Sequence, residues 1–172
     1  MKTRRSLSGR AASPLAAARG CGAQGTARPT QNALLAAARD AATRAYCPYS
    51  GFAVGAALQA DDGRIFIGVN VENASYGLTL CAERIALAQA VAAGARSFRA
   101  LAIVAGARTP ATPCGACRQV LAEFCSDRLP VFCAAHTGAA IRRTTLGALL
   151  PHAFRLHANR RNCRGVALRS NQ

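Results

Sequence analysis

The sequence predicts an α/β protein: a three-layer α/β/α sandwich whose mixed central sheet holds about five strands. Three observations predict it. Phe52, Val54, Ala56 and Leu58 alternate with small residues, an Asp61-Asp62-Gly63 turn follows, and Arg64 to Val69 returns, which together read as a β-hairpin. After the hairpin, strand-like and helix-like runs alternate, implying a mixed sheet covered by helices. Finally, the chain has 172 residues, of which 51% are hydrophobic, enough for one domain with a packed core.

Taken in order, residues 1–29 are rich in Ala, Gly, Ser and Arg without apolar periodicity, and read as a disordered basic leader. An organelle transit peptide shares this composition, but a plain basic leader or a start placed too early is the preferred reading. Thr30 can cap a helix from Gln31 to about Tyr46, with Leu34, Leu35, Ala38, Ala42 and Ala45 as its apolar stripe. Pro48-Tyr49-Ser50-Gly51 breaks it, and the hairpin follows. Asn70 to Leu80 reads as a loop, and 82–93 as a helix stopped by Gly94. Phe98–Ala105 is apolar throughout, as a central strand should be. A loop with Pro110 leads to a helix over 115–125 and a strand at Pro130–Ala134. A turn at Thr137-Gly138, a last strand near Ala139–Arg143 and a short helix ending at Leu150-Pro151 complete the order α-β-β-α-β-α-β-β-α. The folded domain is thus placed at 30–154, with 155–172 as a basic, disordered tail.

The net charge of +15 suggests nucleic acid at first sight, but its distribution argues against that. Residues 1–30 carry six cations and no acid, 141–172 carry seven arginines and no acid, and 31–140 hold nine arginines against seven acids. The basicity belongs to the ends, so nucleic-acid binding by the folded part is not expected. No stretch reaches the length of a membrane-spanning helix.

Two short clusters carry the chemistry: Cys81-Ala-Glu83-Arg84 and Pro113-Cys114-Gly-Ala-Cys117. Each opens a helix-like run. Thiolates at two helix N-termini, brought together by the fold, make a zinc site with an open fourth position. Glu83 lies close enough to Cys81 to face a water in that position, an arrangement suited to hydrolysis. The alternative of a structural zinc knot needs no such carboxylate. Of the eight cysteines, five remain outside the trio, an odd number without a disulfide framework. Together with the absence of a secretory-type apolar core in 1–30, this predicts a reducing, cytoplasmic setting, with Cys47, Cys125 and Cys133 as small buried hydrophobes. His136, His152 and His157 lack ligand spacing and read as surface residues.

These clusters resemble the zinc-dependent cytidine deaminase family, in its three-cysteine form. Tyr46-Cys-Pro-Tyr-Ser-Gly-Phe52-Ala-Val-Gly and Asn70-Val-Glu72-Asn-Ala-Ser-Tyr76 extend the resemblance, which covers roughly 30–154. It implies one Zn²⁺ per subunit on Cys81, Cys114 and Cys117. It implies that Glu83 moves protons while cytidine or deoxycytidine is hydrolysed at C4 to uridine or deoxyuridine and ammonia, for pyrimidine salvage. Asn70 and Glu72 would bond the ribose hydroxyls, Phe52 would contact the nucleoside and the Ala82 N–H would orient the reacting centre. Tyr76 would help line a pocket across a subunit boundary in a homotetramer. Arg84 would donate to the ligand sulfurs and offset the −1 charge of three thiolates on a divalent ion. Blasticidin-type deaminases are the nearest alternative, although they resemble the Asn-Val-Glu-Asn stretch less. A non-catalytic zinc module binding RNA through basic tails is the competing class, and it has no use for Glu83, Asn70 or Glu72. Two departures stand out: Leu146-Gly147-Ala148 lacks the carboxylate usual before Leu-Leu-Pro, and an arginine-rich ending follows Phe154.

Overall fold

Thr30 caps helix α1 (Gln31–Ala42) as predicted, its hydroxyl accepting from Ala33 N–H at 3.3 Å. The computed structural model describes residues 30–156. The leader expected over 1–29 and the tail from 157 onward lie outside the described residues. Then come β1 (Val54–Ala60), β2 (Ile65–Val69), a short 3₁₀ turn (Tyr76–Leu78), α2 (Ala82–Ala92), β3 (Phe98–Ala105), α3 (Gly115–Phe124), β4 (Pro130–Ala134), β5 (Ile141–Thr145) and α4 (Leu146–Leu149).

The five strands form one sheet in the order β2-β1-β3-β4-β5. Pairing is antiparallel at β1–β2, β1–β3 and β4–β5, and parallel at β3–β4, so the sheet is mixed as expected. β3 occupies the centre, which is why its last six residues are all buried and its sequence lacks polar alternation.

The two faces have different partners. α1 packs Leu34, Leu35 and Ala38 against Ala57, Ala102 and Val104 on one side. On the other, Ala82, Ala86 and Leu87 of α2 and Leu121 and Ala122 of α3 meet Leu58, Leu101, Ile103 and Val131. Alternation along β1 sends neighbouring residues to opposite helical layers. Helix–sheet approach is very close where a glycine faces a helix. A Cβ at Gly55 would lie 2.0 Å from the Ala38 carbonyl, and one at Gly68 would lie 2.1 Å from the Ala82 carbonyl. The second contact fixes the height at which α2 begins.

Three local expectations are corrected. α1 ends at Ala42, not near Tyr46. Tyr46 is extended and bridges Val71: its N–H donates to the Asn70 carbonyl at 3.0 Å and its carbonyl accepts from Glu72 N–H at 2.8 Å. Pairing with another segment overrides the apolar periodicity there. The last strand starts two residues later than expected, because its register with β4 sets Ile141 opposite Ala134, after a turn with Gly138 at φ +85°. Cys125 and Cys133 are buried as expected, but Cys47 is only half-buried. Among the described residues, no helix is long and apolar enough to cross a membrane.

Candidate active site

Cys81 is the N-cap of α2 and Cys114 the N-cap of α3, with Cys117 in the first turn of α3. Both helices lie on the same face of the sheet, so their N-termini converge. The Sγ atoms stand 3.9 Å apart for Cys81 and Cys114, and 3.6 Å for Cys114 and Cys117, and all three lie within 4.8 Å of one another. A tetrahedral zinc with Zn–S bonds of about 2.3 Å needs sulfurs about 3.8 Å apart. The trio therefore fits such an ion, and Cys81 and Cys114 line the cavity beside it.

Electrostatics favour metal binding. Cys81 is lowered to about 5, first because the Cys117 thiol donates to its sulfur and then because the Arg84 guanidinium lies beside it. Cys117 is raised by the same hydrogen bond and by burial, so the pair shares its proton with the thiolate on Cys81. Arg84 Nη2 donates to Cys81 Sγ at 3.7 Å and to the Thr79 carbonyl at 2.7 Å, which locks the guanidinium against one of the three sulfurs.

Glu83 is buried at 5% exposure and lines the cavity beside Cys81 and Ala82. Its pKa is raised, mainly by desolvation and further by negative charge on Cys81. A carboxyl that holds its proton more tightly than usual is a better proton acceptor than a solvated one. Ala82, fully buried, presents the first turn of α2 to the same space.

Across the cavity stand Phe52, Val54 and Asn70. Asn70 is held by Val54 N–H, donating to Oδ1 at 2.8 Å, and by its own Nδ2, donating to the Phe52 carbonyl at 2.9 Å. One amide N–H remains available. Glu72 sits behind the 49–50 loop and is not among the residues lining the cavity of one chain. Its Oε2 accepts from Tyr49 N–H at 2.9 Å and Ser50 N–H at 3.2 Å, and its Oε1 accepts from the Ser50 hydroxyl. The Ser50 bond, with burial opposing it, and these backbone donors lower its pKa. Tyr76 also stands outside the cavity, 60% exposed, its ring 6.0 Å from that of Tyr49.

Sequence reasoning missed several participants. Thr79 and Thr112 line the cavity, and Ser50 links Glu72 to Phe52, whose N–H donates to the Ser50 hydroxyl at 3.0 Å. The Pro-Tyr-Ser-Gly-Phe stretch contained that signal: a hydroxyl next to a turn commonly bonds nearby backbone. His136 is also more than a surface residue, since Nε2 donates to the Ala53 carbonyl at 2.9 Å and pins the approach to β1.

Comparison with known proteins agrees with this geometry. Residues 28–133 match the family described as the cytidine and deoxycytidylate deaminase zinc-binding region. A cytidine deaminase of Sporosarcina psychrophila is 53% identical over 121 residues, covering 70% of this chain and 88% of that one. One from Mycobacterium tuberculosis is 47% identical over 125 residues, covering 73% and 90%. The crystal structure of cytidine deaminase from Burkholderia pseudomallei superposes with a TM-score of 0.70 at 52% identity, covering 73% of this chain and 99% of that one. A fold, a cysteine trio at two helix starts and a buried glutamate beside them all agree with these matches: the chain belongs to the zinc-binding cytidine and deoxycytidylate deaminase family.

Proposed function

We propose that this protein is a zinc-dependent deaminase that hydrolyses cytidine and deoxycytidine to uridine and deoxyuridine with release of ammonia. The observation that carries this reading is the buried Glu83 carboxyl beside a three-cysteine metal site at the floor of a cavity. Cys81, Cys114 and Cys117 would hold one zinc per chain. When bound there, the ion supplies the Lewis acidity that makes a water nucleophilic near neutral pH.

Glu83 takes a proton from that water as its oxygen adds to C4 of the base. The same carboxyl passes that proton to ring N3, then takes the remaining hydrogen from the new C4 hydroxyl and hands it to the amine, so that the C4 carbonyl forms as the C4–N bond breaks to free ammonia. Ala82 N–H, at the positive end of α2, steadies the charge that develops at the reacting carbon. Phe52 offers an aromatic face to the nucleoside. Asn70, with one free N–H, and Glu72, with one acceptor position left on Oε1, bond the sugar hydroxyls. Tyr76 and its exposed neighbours serve a pocket completed by another copy in a homotetramer, and the reaction belongs to pyrimidine salvage.

The test is the fall in cytidine absorbance with matching ammonia release, run beside a zinc assay. Turnover that depends on zinc and on Glu83 supports the reading. A zinc-loaded protein that leaves cytidine and deoxycytidine untouched refutes it.

A further inference from the structure

Arg118 directly follows Cys117 on α3 and is half-buried. Its guanidinium donates to three acceptors from two other parts of the chain. Nε reaches the Pro113 carbonyl at 2.7 Å, Nη2 the Thr112 hydroxyl at 3.1 Å and Nη1 the Leu149 carbonyl at 2.9 Å. Ala111, Thr112 and Cys114 line the cavity. Pro113 is fully buried between them and lies outside any helix or strand, and the donor its carbonyl finds is the Arg118 side chain. Leu149 ends α4, and beyond it the chain turns back along α3. There Gln119 Nε2 donates to the Phe154 carbonyl at 2.6 Å, and Arg155 bonds both the Ala122 carbonyl and, at 2.7 Å, the Asp127 carboxylate.

We infer that Arg118 is a positioning residue for substrate: its planar fork fixes the Ala111–Pro113 wall of the cavity and ties that wall to α4 and the returning chain. The inference rests on the deaminase reading above. Three acceptors arranged around one guanidinium suit arginine and no other side chain, because an ammonium cannot reach all three from one point. Thr112 precedes a proline and is therefore extended, so its rotamer is not set by helix or sheet neighbours. The bond from Arg118 sets it. Cys114 is held differently. Its carbonyl accepts the Arg118 backbone N–H at 3.0 Å, a bond that any residue at this position makes. Losing the guanidinium should therefore loosen the wall and leave the metal ligands in place. A wall that touches ground state and transition state alike acts on KM more than on kcat.

The experiment compares full-length, zinc-loaded wild type with Arg118→Lys, Arg118→Ala, Thr112→Val and the double variant Arg118→Lys/Thr112→Val. Cytidine kinetics, zinc per chain and unfolding midpoint are measured for each. Both arginine variants should raise KM about tenfold or more, the equivalent of one charged hydrogen bond, with kcat and zinc content close to wild type. Millimolar guanidinium should lower KM for Arg118→Ala and not for Arg118→Lys. The double variant should be no worse than Arg118→Lys, because both changes break the same tie. An unchanged KM in Arg118→Lys, additive effects in the double variant, or activity lost in step with zinc would each overturn the inference. If Arg118→Ala does not fold, Arg118→Lys and the double variant decide. A wild type without turnover would instead overturn the deaminase reading, and this inference with it.

Discussion

Gly68→Ala and Gly55→Ala form a matched pair of perturbations on opposite faces of one sheet. An added Cβ at Gly68 meets the Ala82 carbonyl at 2.1 Å and Ala86 N at 2.6 Å, and at Gly55 it meets the Ala38 carbonyl at 2.0 Å and Ala42 N at 2.5 Å. Backbone atoms do not accept a Cβ closer than 3.0 Å, so in each case a helix must retreat by roughly 1 Å. Overpacking of this kind costs about 1–3 kcal/mol, and the two variants should lose similar stability. Their effects on chemistry should differ. α2 carries Ala82 and Glu83 and is capped by Cys81, whereas α1 carries no site residue. A displacement of about 1 Å at a reacting group can cost on the order of 10²-fold in rate. Gly68→Ala should therefore lose most of its deaminase activity per folded molecule, and its zinc should pass to a chelator sooner. Gly55→Ala should keep both. The assay is specific activity well below the unfolding midpoint, with a colorimetric chelator competition. Equal activity in the two variants would refute the claim that α2's height on the sheet sets the site.

Glu83→Gln should lower kcat by about 10²–10⁴-fold with zinc content unchanged, because an amide cannot carry the proton; activity near wild type would remove Glu83 from the chemistry. Asn70→Ala and Glu72→Ala should each weaken turnover of cytidine more than that of free cytosine, and equal losses on both would count against sugar recognition. Glu72 has a lowered pKa, so the folded state binds fewer protons than the unfolded one in the acid range. Its contribution to stability is complete above the ordinary carboxylate range and is lost as pH falls through the lowered value. Removing the hydroxyl in Ser50→Ala should flatten that acid limb of the unfolding midpoint, and a limb identical to wild type would show that the Ser50 bond does not set it.

Elements whose sides differ in polarity, or that are buried throughout, were legible from sequence. Phe98–Ala105 and Pro130–Ala134 run where the apolar pattern places them, and α2 and α3 begin at the cysteines that cap them. The metal trio was legible because its spacing is local within each cluster and both clusters sit at helix starts. What could not be read were contacts made across the chain. Tyr46 continues α1's pattern yet bridges Val71, and nothing within α1 encodes that. Ser50 reaches Glu72 across 22 residues, and Arg118 reaches Leu149 across 31. Such links depend on where the sheet brings distant backbone together, and one sequence carries no record of that distance. The register of β5 was missed for the same reason: its exposed Arg142 and Arg143 hold no alternation, so β4 alone decides it.

The position of β3 has a consequence for the order in which this protein is made. Cys114 and Cys117 share one helical turn, but Cys81 lies 33 residues upstream, with the central strand between them in the sequence. The third sulfur joins the other two only after β3 has docked beside β1 and α2 and α3 have settled on the same face. Of the three ligands, a chain emerging from the ribosome therefore presents one thiol first and the two-thiol pair later, each a weak and promiscuous metal ligand set. The complete site arises late, as a product of long-range assembly. Ambient zinc then acts on the yield of folded domain as well as on its catalysis, because an ion that binds only the assembled site draws the folding equilibrium toward it.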